Sequence, residues 1–390
     1  MVWVFALSAL LLVHTYLLYP LLLILADAFR QAATNLRFIA GGGERRGRAE
    51  EVLGPVVSLV VAAYNEESCI GEKLSNSLKL DWPSERLEVL VGSDGSTDRT
   101  DALVTACTDA RVRLSAAPRG GKVAVLNRCI PSAHGDIVVL TDANTMLDGR
   151  ALKKLLRHFR DPKVGAVCGR LRLYNKLRRE YEESAYWAYE SLIKFYEGKH
   201  GAVLGANGGI YAIRKSLFTP LPPDTIVDDF VIPMRILQAG YRVLYDPEAV
   251  AFEETTEDYA KEAGRRARIA AGNFQSLRML GGMLLPTRGF VSFAFWSHKL
   301  LRWVAPFLMA AAAVSNLMLL GHHWAWFTLL AQIGFYGLAL AGAQGVRRKG
   351  ALERASSVAY YFTSMNFALA VGFWRFVRNS QAAAWNRTAR

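Results

Sequence analysis

The sequence predicts an α/β domain built on a parallel sheet and flanked by α-helical transmembrane segments. Three observations carry this. Apolar runs alternate with helical patterns from Val56 to about Val167, as in successive βαβ units. Three of those runs break off in polar residues: one before Tyr64-Asn65-Glu66-Glu67, one before Asp94-Gly95-Ser96-Thr97-Asp98, one before Asp142-Ala143-Asn144. Finally, residues 1–26 carry no charged side chain, and further apolar stretches lie near 300–320, 324–342 and 358–374.

Taken in order, residues 1–26 exceed the roughly 20 apolar residues that a membrane helix needs. A signal peptide would show a basic leader before a shorter apolar core, and the segment shows none. It is therefore expected to be an N-terminal transmembrane helix, with a Gly/Arg/Glu-rich linker over 27–54. The α/β domain is expected over 55–257. Its crossover helices fall at 67–78, 98–106 and 152–159, and a further strand at 164–173. Residues 178–200 read as helix with Tyr181, Trp187, Tyr189 and Tyr196; an aromatic stripe of this kind reads chiefly as packing. Residues 205–209 are too glycine-rich for helix. Helix resumes over 228–239 and stops at Gly240, a C-terminal cap. Residues 258–284 are amphipathic, with Arg265, Arg266, Arg268 and Arg278 among apolar positions, which suits a membrane interface. Interfacial helices are assigned to 258–297, about three transmembrane helices to 298–375, and a basic tail to 376–390.

The formal net charge is +13, and much of the excess flanks the apolar stretches: Arg30, Arg37, Arg45, Arg46 and Arg48, then Lys299 and Arg302, then Arg347, Arg348 and Lys349. The positive-inside rule places 27–299 and the 345–354 loop in the cytoplasm and the N-terminus outside. Four spans would then put the tail outside, although Arg375, Arg378, Arg387 and Arg390 make it basic. Either one segment is re-entrant or the tail departs from the rule. No dense basic face with interleaved aromatics occurs, so nucleic acid is not an expected partner. Cys69, Cys107, Cys129 and Cys168 lack metal-type spacing and read as reduced thiols.

Open α/β sheets bind ligands at the carboxyl ends of their strands. Asn65, Asp94 and Asp142 should therefore share one crevice, beside the basic loop Arg119-Gly120-Gly121-Lys122. A carboxylate and polar backbone at strand ends can hydrogen-bond a base edge and ribose hydroxyls. The Asp94 segment also reads as a turn in which Ser96 or Thr97 caps the next helix. Glycines admit close backbone approach, and Lys122 can meet a phosphate as a point charge. Asp142 offers a hard cation one carboxylate, and Asn144 a neutral carbonyl. Asp228 and Asp229 open a helix, where acids serve as caps and dipole partners or as a base.

Together and in this order, these motifs resemble the membrane-integrated family 2 glycosyltransferases, the group of the cellulose, chitin and hyaluronan synthases. The resemblance runs from about Val56 to Gln275. It implies a GT-A-type, Rossmann-like glycosyltransferase domain that inverts configuration while moving sugar from a UDP-sugar. It further implies nucleotide binding by Ala63, Tyr64, Asn65, Glu66, Asp94, Lys122, Asn127 and Arg268. Mg²⁺ or Mn²⁺ is expected at Asp142 and Asn144, where the family carries Asp-X-Asp. Gly205, Ala206, Asn207, Gly208 and Arg266 would bind the acceptor. Asp229 would be the general base, supported by Asp228. Two departures stand out. Asn144 replaces an acid, and the family's Gln-X-X-Arg-Trp is here Arg265-Arg266-Ala267-Arg268-Ile269, with Asn273, Phe274 and Gln275 about a turn further on.

The expected activity is growth of a polysaccharide at the cytoplasmic face of a bacterial-type plasma membrane, coupled to export. The expected partners are the UDP-sugar, a carbohydrate or lipid-linked acceptor and membrane lipids. Four spans make a thin conduit, so a homodimer or an export partner is expected to complete it. The altered Gln-X-X-Arg-Trp motif supports an alternative, transfer of a single sugar to a lipid-linked acceptor. A second alternative is an inactive homologue serving assembly or export, against which Asp94, Asp142 and Asp229 argue.

Overall fold

The computed structural model describes residues 1–41, 54–175, 180–182, 185–254, 259–344 and 350–381. Helices α1 (Val2–Val13) and α2 (Tyr19–Gly41) are joined by a π-helical turn, His14–Leu18. There follow β1 (Val57–Ala63), α3 (Ile70–Leu78), β2 (Leu87–Asp94), α4 (Thr100–Thr105), β3 (Val112–Ala117), α5 (Lys122–Ser132), β4 (Ile137–Asp142), β5 (Thr145–Leu147) and α6 (Ala151–Leu156). Then come β6 (Val164–Asn175), β7 (Glu180–Glu182), α7 (Ala185–Lys199), β8 (Tyr211–Arg214), α8 (Asp228–Gln238) and β9 (Arg242–Glu254). The chain continues with α9 (Tyr259–Leu280), α10 (Phe290–Ala294), a second π-helical turn at Phe295–Leu300, α11 (Leu301–Leu317), α12 (His323–Ala343) and α13 (Ala351–Val377). It divides into an α/β unit, Leu22–Glu257 with Thr287–Val291, and a helical unit, Met1–Leu21, Asp258–Pro286 and Ser292–Gln381.

In the α/β unit the strand order is β3-β2-β1-β4-β8-β6-β9-β5, with β7 on β6. β1 lies parallel to β2 and β4, and β3 is parallel to β2. Every residue of β1 and β2 is buried, which is why these strands read as continuous apolar runs. Helices α3 and α6 cover one face through Ile70, Leu74, Leu152 and Leu155. Beyond β4 the sheet becomes mixed. β8 runs antiparallel to β4 and β6, β9 parallel to β6, and β5 antiparallel to β9.

The structure corrects several expected boundaries. α3 starts at Ile70 and α4 at Thr100, because the residues before them bond to each other's loops. Helix begins at Ala185 rather than 178, since Glu180–Glu182 pairs with β6 as a strand. Residues 27–41, expected as linker, continue the N-terminal helix. The rest of the linker (42–53), the basic core of the loop (345–349) and the end of the tail (382–390) lie outside the described residues.

Three described helices are long and apolar enough to cross a membrane: Val2–Ala40, Phe290–Leu317 and His323–Ala343. The second starts ahead of the expected boundary at 298. α13 is not among them, because Tyr360, Tyr361, Thr363, Ser364 and Asn366 dilute its apolar character. Within the helical unit the two π-helical turns meet: His14 Nε2 lies 2.9 Å from Ser297 Oγ, and Tyr19 stacks on His298. α9 packs along α13 through small residues, where a Cβ on Gly372 would stand 2.3 Å from Ala270.

Candidate active site

Two strand-end loops are laced together. Asn65 adopts φ +54°, a left-handed conformation that Asn tolerates. Its N–H donates to Ser96 Oγ at 3.1 Å, and its Oδ1 accepts from the Thr97 N–H at 2.7 Å. The Glu66 N–H donates to Thr100 Oγ1 (2.8 Å) and the Glu67 N–H to Asp98 Oδ2 (3.1 Å). Ser96 and Thr97 thus serve the Asn65 loop, which corrects the expected cap. The first N–H of α4, that of Thr100, donates instead to Asp98 Oδ1 at 2.9 Å.

Asp94 ends β2 only 1% exposed. Its carboxylate accepts from the N–H groups of Gly120 (2.7 Å) and Gly121 (2.9 and 3.0 Å), so it anchors the glycine loop. Gly95, at φ +68°, allows this approach, since a Cβ there would sit 2.7 Å from the Arg119 nitrogen. The Arg119 guanidinium lies 3.5 Å from the centre of the Tyr64 ring, in cation–π range.

Directly after that loop, α5 opens on Lys122. Its Nζ donates to Asp142 Oδ1 at 2.7 Å and stands 3.8 Å from Asp228 Oδ2. Burial opposes the ammonium, but Asp142, Asp228 and Asp229 outweigh it and raise its proton affinity. Asp228 is 7% exposed, and its Oδ2 has no hydrogen-bond partner among the described residues. Burial first, with Asp229 and Asp142, pushes this carboxyl up to about 6 against the opposing pull of Lys122. Asp229 follows, partly exposed. From β8, the buried Tyr211 hydroxyl also lacks a partner. Burial first, then Asp228, Asp229 and Asp142, raise it well above its ordinary value.

An oxygen-rich cluster with an orphaned carboxylate oxygen fits a hard divalent cation carrying phosphate ligands. Asp142 would hold it by carboxylate. The Asn144 nitrogen donates to Glu253 Oε1 at 3.1 Å, which leaves the carbonyl oxygen as the donor Asn144 offers. No cluster of three or more His, Cys, Asp or Glu side chains able to hold a metal occurs among the described residues, so substrate phosphates and water would complete the shell.

The 205–209 loop lies on the first turn of α8. The Ala206 N–H donates to the Asp229 carbonyl at 2.8 Å. A Cβ on Gly208 would come 3.2 Å from Asp229 Oδ2, and one on Gly205 2.9 Å from the Phe230 ring. The Asn207 amide is committed to the loop's support: Nδ2 donates to the Gly169 carbonyl (2.8 Å), and Oδ1 accepts from Lys194. Asn127 likewise has both ends of its amide on the Leu221 backbone, each at 2.8 Å. It ties α5 to the segment leading into Asp228. Arg266 and Arg268 belong to α9 of the helical unit, where the Arg266 guanidinium lies 4.9 Å from the centre of the Tyr361 ring.

Two residues escaped the sequence reading. Tyr211 looks like an ordinary strand residue, and nothing local marks its hydroxyl. Lys73 of α3 is 0% exposed and donates to Thr141 Oγ1 at 2.9 Å and to the Thr145 carbonyl. Its spacing from Ile70, Leu74 and Ser77 places it on the buried helix face, a signal present in the sequence. Burial lowers its proton affinity to about 7, against Asp142 and Cys69.

Comparison with known proteins bears on the family and the fold. Residues 55–272, more than half of the chain, match the family described as Glycosyltransferase like family 2. Over 229 residues the chain is 29% identical to the poly-beta-1,6-N-acetyl-D-glucosamine synthase of Staphylococcus aureus, covering 57% of this chain and 55% of that protein. Over 232 residues it is 27% identical to the probable glycosyltransferase YdaM of Bacillus subtilis, covering 56% and 55%. The chain thus spans about half the length of the curated relatives it matches. Its fold matches the mannosyltransferase PcManGT from Pyrobaculum calidifontis, solved with GDP-Man and Mn²⁺, at TM-score 0.67 and 23% identity over 96% of this chain and 99% of that one. The α/β unit therefore has the expected GT-A fold. The chain belongs to glycosyltransferase family 2 and is related to polysaccharide synthases.

Proposed function

We propose that this family 2 glycosyltransferase moves a sugar from a UDP-sugar to a hydroxyl of a growing polysaccharide, with inversion at the anomeric carbon. The observation that carries the reading is the meeting of Asp142, Asp228 and the first turn of α8 around Lys122 at the carboxyl ends of the strands. Tyr64 and the Asp94-anchored glycine loop take the nucleoside, with Asn65 and Glu66 shaping the pocket floor. Lys122 leaves its carboxylates for the diphosphate. Mg²⁺ or Mn²⁺, when bound at Asp142 and Asn144, supplies charge that stabilises the departing diphosphate. Asp229 accepts the acceptor's hydroxyl proton. Asp228 stands beside it at the start of α8 and supports its placement. The freed oxygen attacks the anomeric carbon in line, and UDP leaves in one displacement without a covalent enzyme intermediate. The glycine loop at 205–208 receives the acceptor.

The three apolar helices and the synthase relatives support an integral membrane protein with its α/β unit in the cytoplasm. Three spans with an outward N-terminus would return the basic tail to the cytoplasmic side, in keeping with the positive-inside rule. So few helices make a narrow conduit, so export of a polymer would call for a homodimer or an export partner. A second reading is transfer of one sugar to a lipid-linked acceptor. It is favoured by Ile269, which stands where the motif's Trp is expected.

The test is nucleoside diphosphate release by the full chain in nanodiscs. It uses a panel of UDP-sugars and GDP-mannose, Mg²⁺ or Mn²⁺, and product sizing. Metal-dependent UDP release with one donor, lost in Asp229→Asn, is expected. A long product supports the polymer reading and a single added sugar the second one. Release from GDP-mannose alone, or turnover that survives Asp229→Asn, would overturn the proposal.

A further inference from the structure

Lys73 is the one lysine of α3, and it lies inside the core rather than at the site's surface. Burying an ammonium costs several kcal/mol unless hydrogen bonds and opposite charge offset it, and a methionine would fill the space without that cost. The partners of Lys73 are specific. It donates to the Thr141 hydroxyl at 2.9 Å and to the Thr145 carbonyl, which are the residues on either side of Asp142-Ala143-Asn144. One turn along the same helix face, Asn76 exchanges two hydrogen bonds with the Leu147 backbone, each 2.9 Å. The Lys73 carbonyl in turn accepts from Ser77 Oγ at 2.7 Å. α3 thus grips the segment from the end of β4 through β5 at three successive points.

We infer that Lys73 is a positioning residue for the cation site: by clamping Thr141 and Thr145 it fixes the turn that presents Asp142 and Asn144 to a divalent metal. The inference rests on the reading of Asp142 as a metal ligand. It assigns Lys73 no contact with substrate.

Partners that orient metal ligands typically change metal affinity about 10–100-fold when removed. Charge and geometry predict opposite signs here, which makes the test decisive. Removing a buried cation beside Asp142 would by charge alone tighten a second cation. Loss of the clamp would weaken it. The full chain in nanodiscs is titrated with Mn²⁺ in the presence of UDP, with bound Mn²⁺ read by electron paramagnetic resonance, and UDP binding is measured separately without metal. Lys73→Met is expected to weaken Mn²⁺ about 10–100-fold and to leave metal-free UDP binding unchanged. Thr141→Val, which removes one of the two contacts, should weaken Mn²⁺ by a smaller factor, and Thr141→Ser, which keeps the hydroxyl, should not. Unchanged or tighter Mn²⁺ binding in Lys73→Met, with binding abolished in Asp142→Asn, overturns the inference alone. Unchanged binding in Asp142→Asn shows instead that the metal-site reading fails, and the inference falls with it. Should Lys73→Met not fold, the Thr141 pair decides, since equal Mn²⁺ affinity in Val and Ser variants overturns the clamp.

Discussion

In the parallel half of the sheet, β1 and β2 are buried from end to end and β4 nearly so, and Asp94 and Asp142 stand at the carboxyl ends of β2 and β4. In the mixed half, β9 alternates between buried and partly exposed positions along 13 residues, and its partner β6 shifts register beyond Gly169. The two halves build their loops differently. The proposed donor half uses side chains on backbone: Asp94 on the glycine loop, Ser96 on Asn65, Asp98 on Glu67. The proposed acceptor half adds closeness to one such side-chain tie, Asn207 on Gly169, with glycines at 205 and 208 letting the chain settle on α8. Charge substitutions should therefore act most strongly in the first half. In the second half, added volume should act more than lost charge, with Asp229 the exception because it is the proposed base.

That exception carries the largest expected effect. Asp229→Asn keeps the shape of the α8 turn and its backbone bond to Ala206 while removing the base. Transfer should fall about 10²–10⁴-fold with donor affinity nearly unchanged, as measured by UDP release and by equilibrium UDP-sugar binding. A loss of donor affinity as large as the loss of rate would move Asp229 into the donor half.

Lys122→Met comes next. Its ammonium makes a charge-assisted bond to Asp142, and such bonds contribute about 1.5–3 kcal/mol. Once shifted to the diphosphate, that interaction corresponds to a loss of roughly 10–100-fold in kcat/KM. The same substitution should raise Mn²⁺ affinity when nucleotide is absent, because Asp142 loses a competing cation. Opposite signs in the two assays would show that Lys122 and the metal share one carboxylate. Asp94→Asn should cost about 1–3 kcal/mol, read as weaker UDP binding with the acceptor KM unchanged, since an amide nitrogen in place of Oδ2 cannot accept from Gly121 and the remaining oxygen is uncharged.

The parallel half was legible because burial on both faces writes itself into sequence as apolar runs with abrupt polar ends. Asn65, Asp94 and Asp142 were placed at one edge on that ground. What those residues bond to was less legible. Asp94 reads from sequence as a ligand for the nucleoside, yet its carboxylate is occupied by two backbone N–H groups, and Asn127 is occupied by Leu221. Such pairings span 26 to 94 residues, and no local pattern announces them. The short strand at 180–182 was hidden because three residues show no period. α13 shows the limit of counting apolar residues, since its alternation of Tyr, Ser and Asn with Phe and Leu fits a helix packed on α9 and α12 as well as a span.

The smallest effect tests the mixed half away from the site. Asp246 of β9 is 1% exposed. Its Oδ2 lies 2.9 Å from Arg157 Nε and 2.8 Å from His158 Nε2, and its Oδ1 accepts from the Glu248 N–H at 2.9 Å. Burial alone would raise this carboxyl, but His158, the Glu248 N–H and Arg157 together hold it below its ordinary value of 3.8. A depressed folded value means that the unfolded chain takes up the proton first as pH falls. The stabilisation is therefore complete above the ordinary value and drains away as pH drops through the folded one. Asp246→Asn should cost about 1–3 kcal/mol at neutral pH, a drop of roughly 2–4 °C in melting midpoint per kcal/mol. Below pH 3.8 the gap between wild type and variant should close. Thermal unfolding of both chains between pH 3 and 7 checks this, with UDP release at neutral pH expected to be equal. A gap that persists at low pH would show that Asp246 holds β9 by shape and hydrogen bonding rather than by charge, which would extend the packing rule of the 205–208 loop to β9.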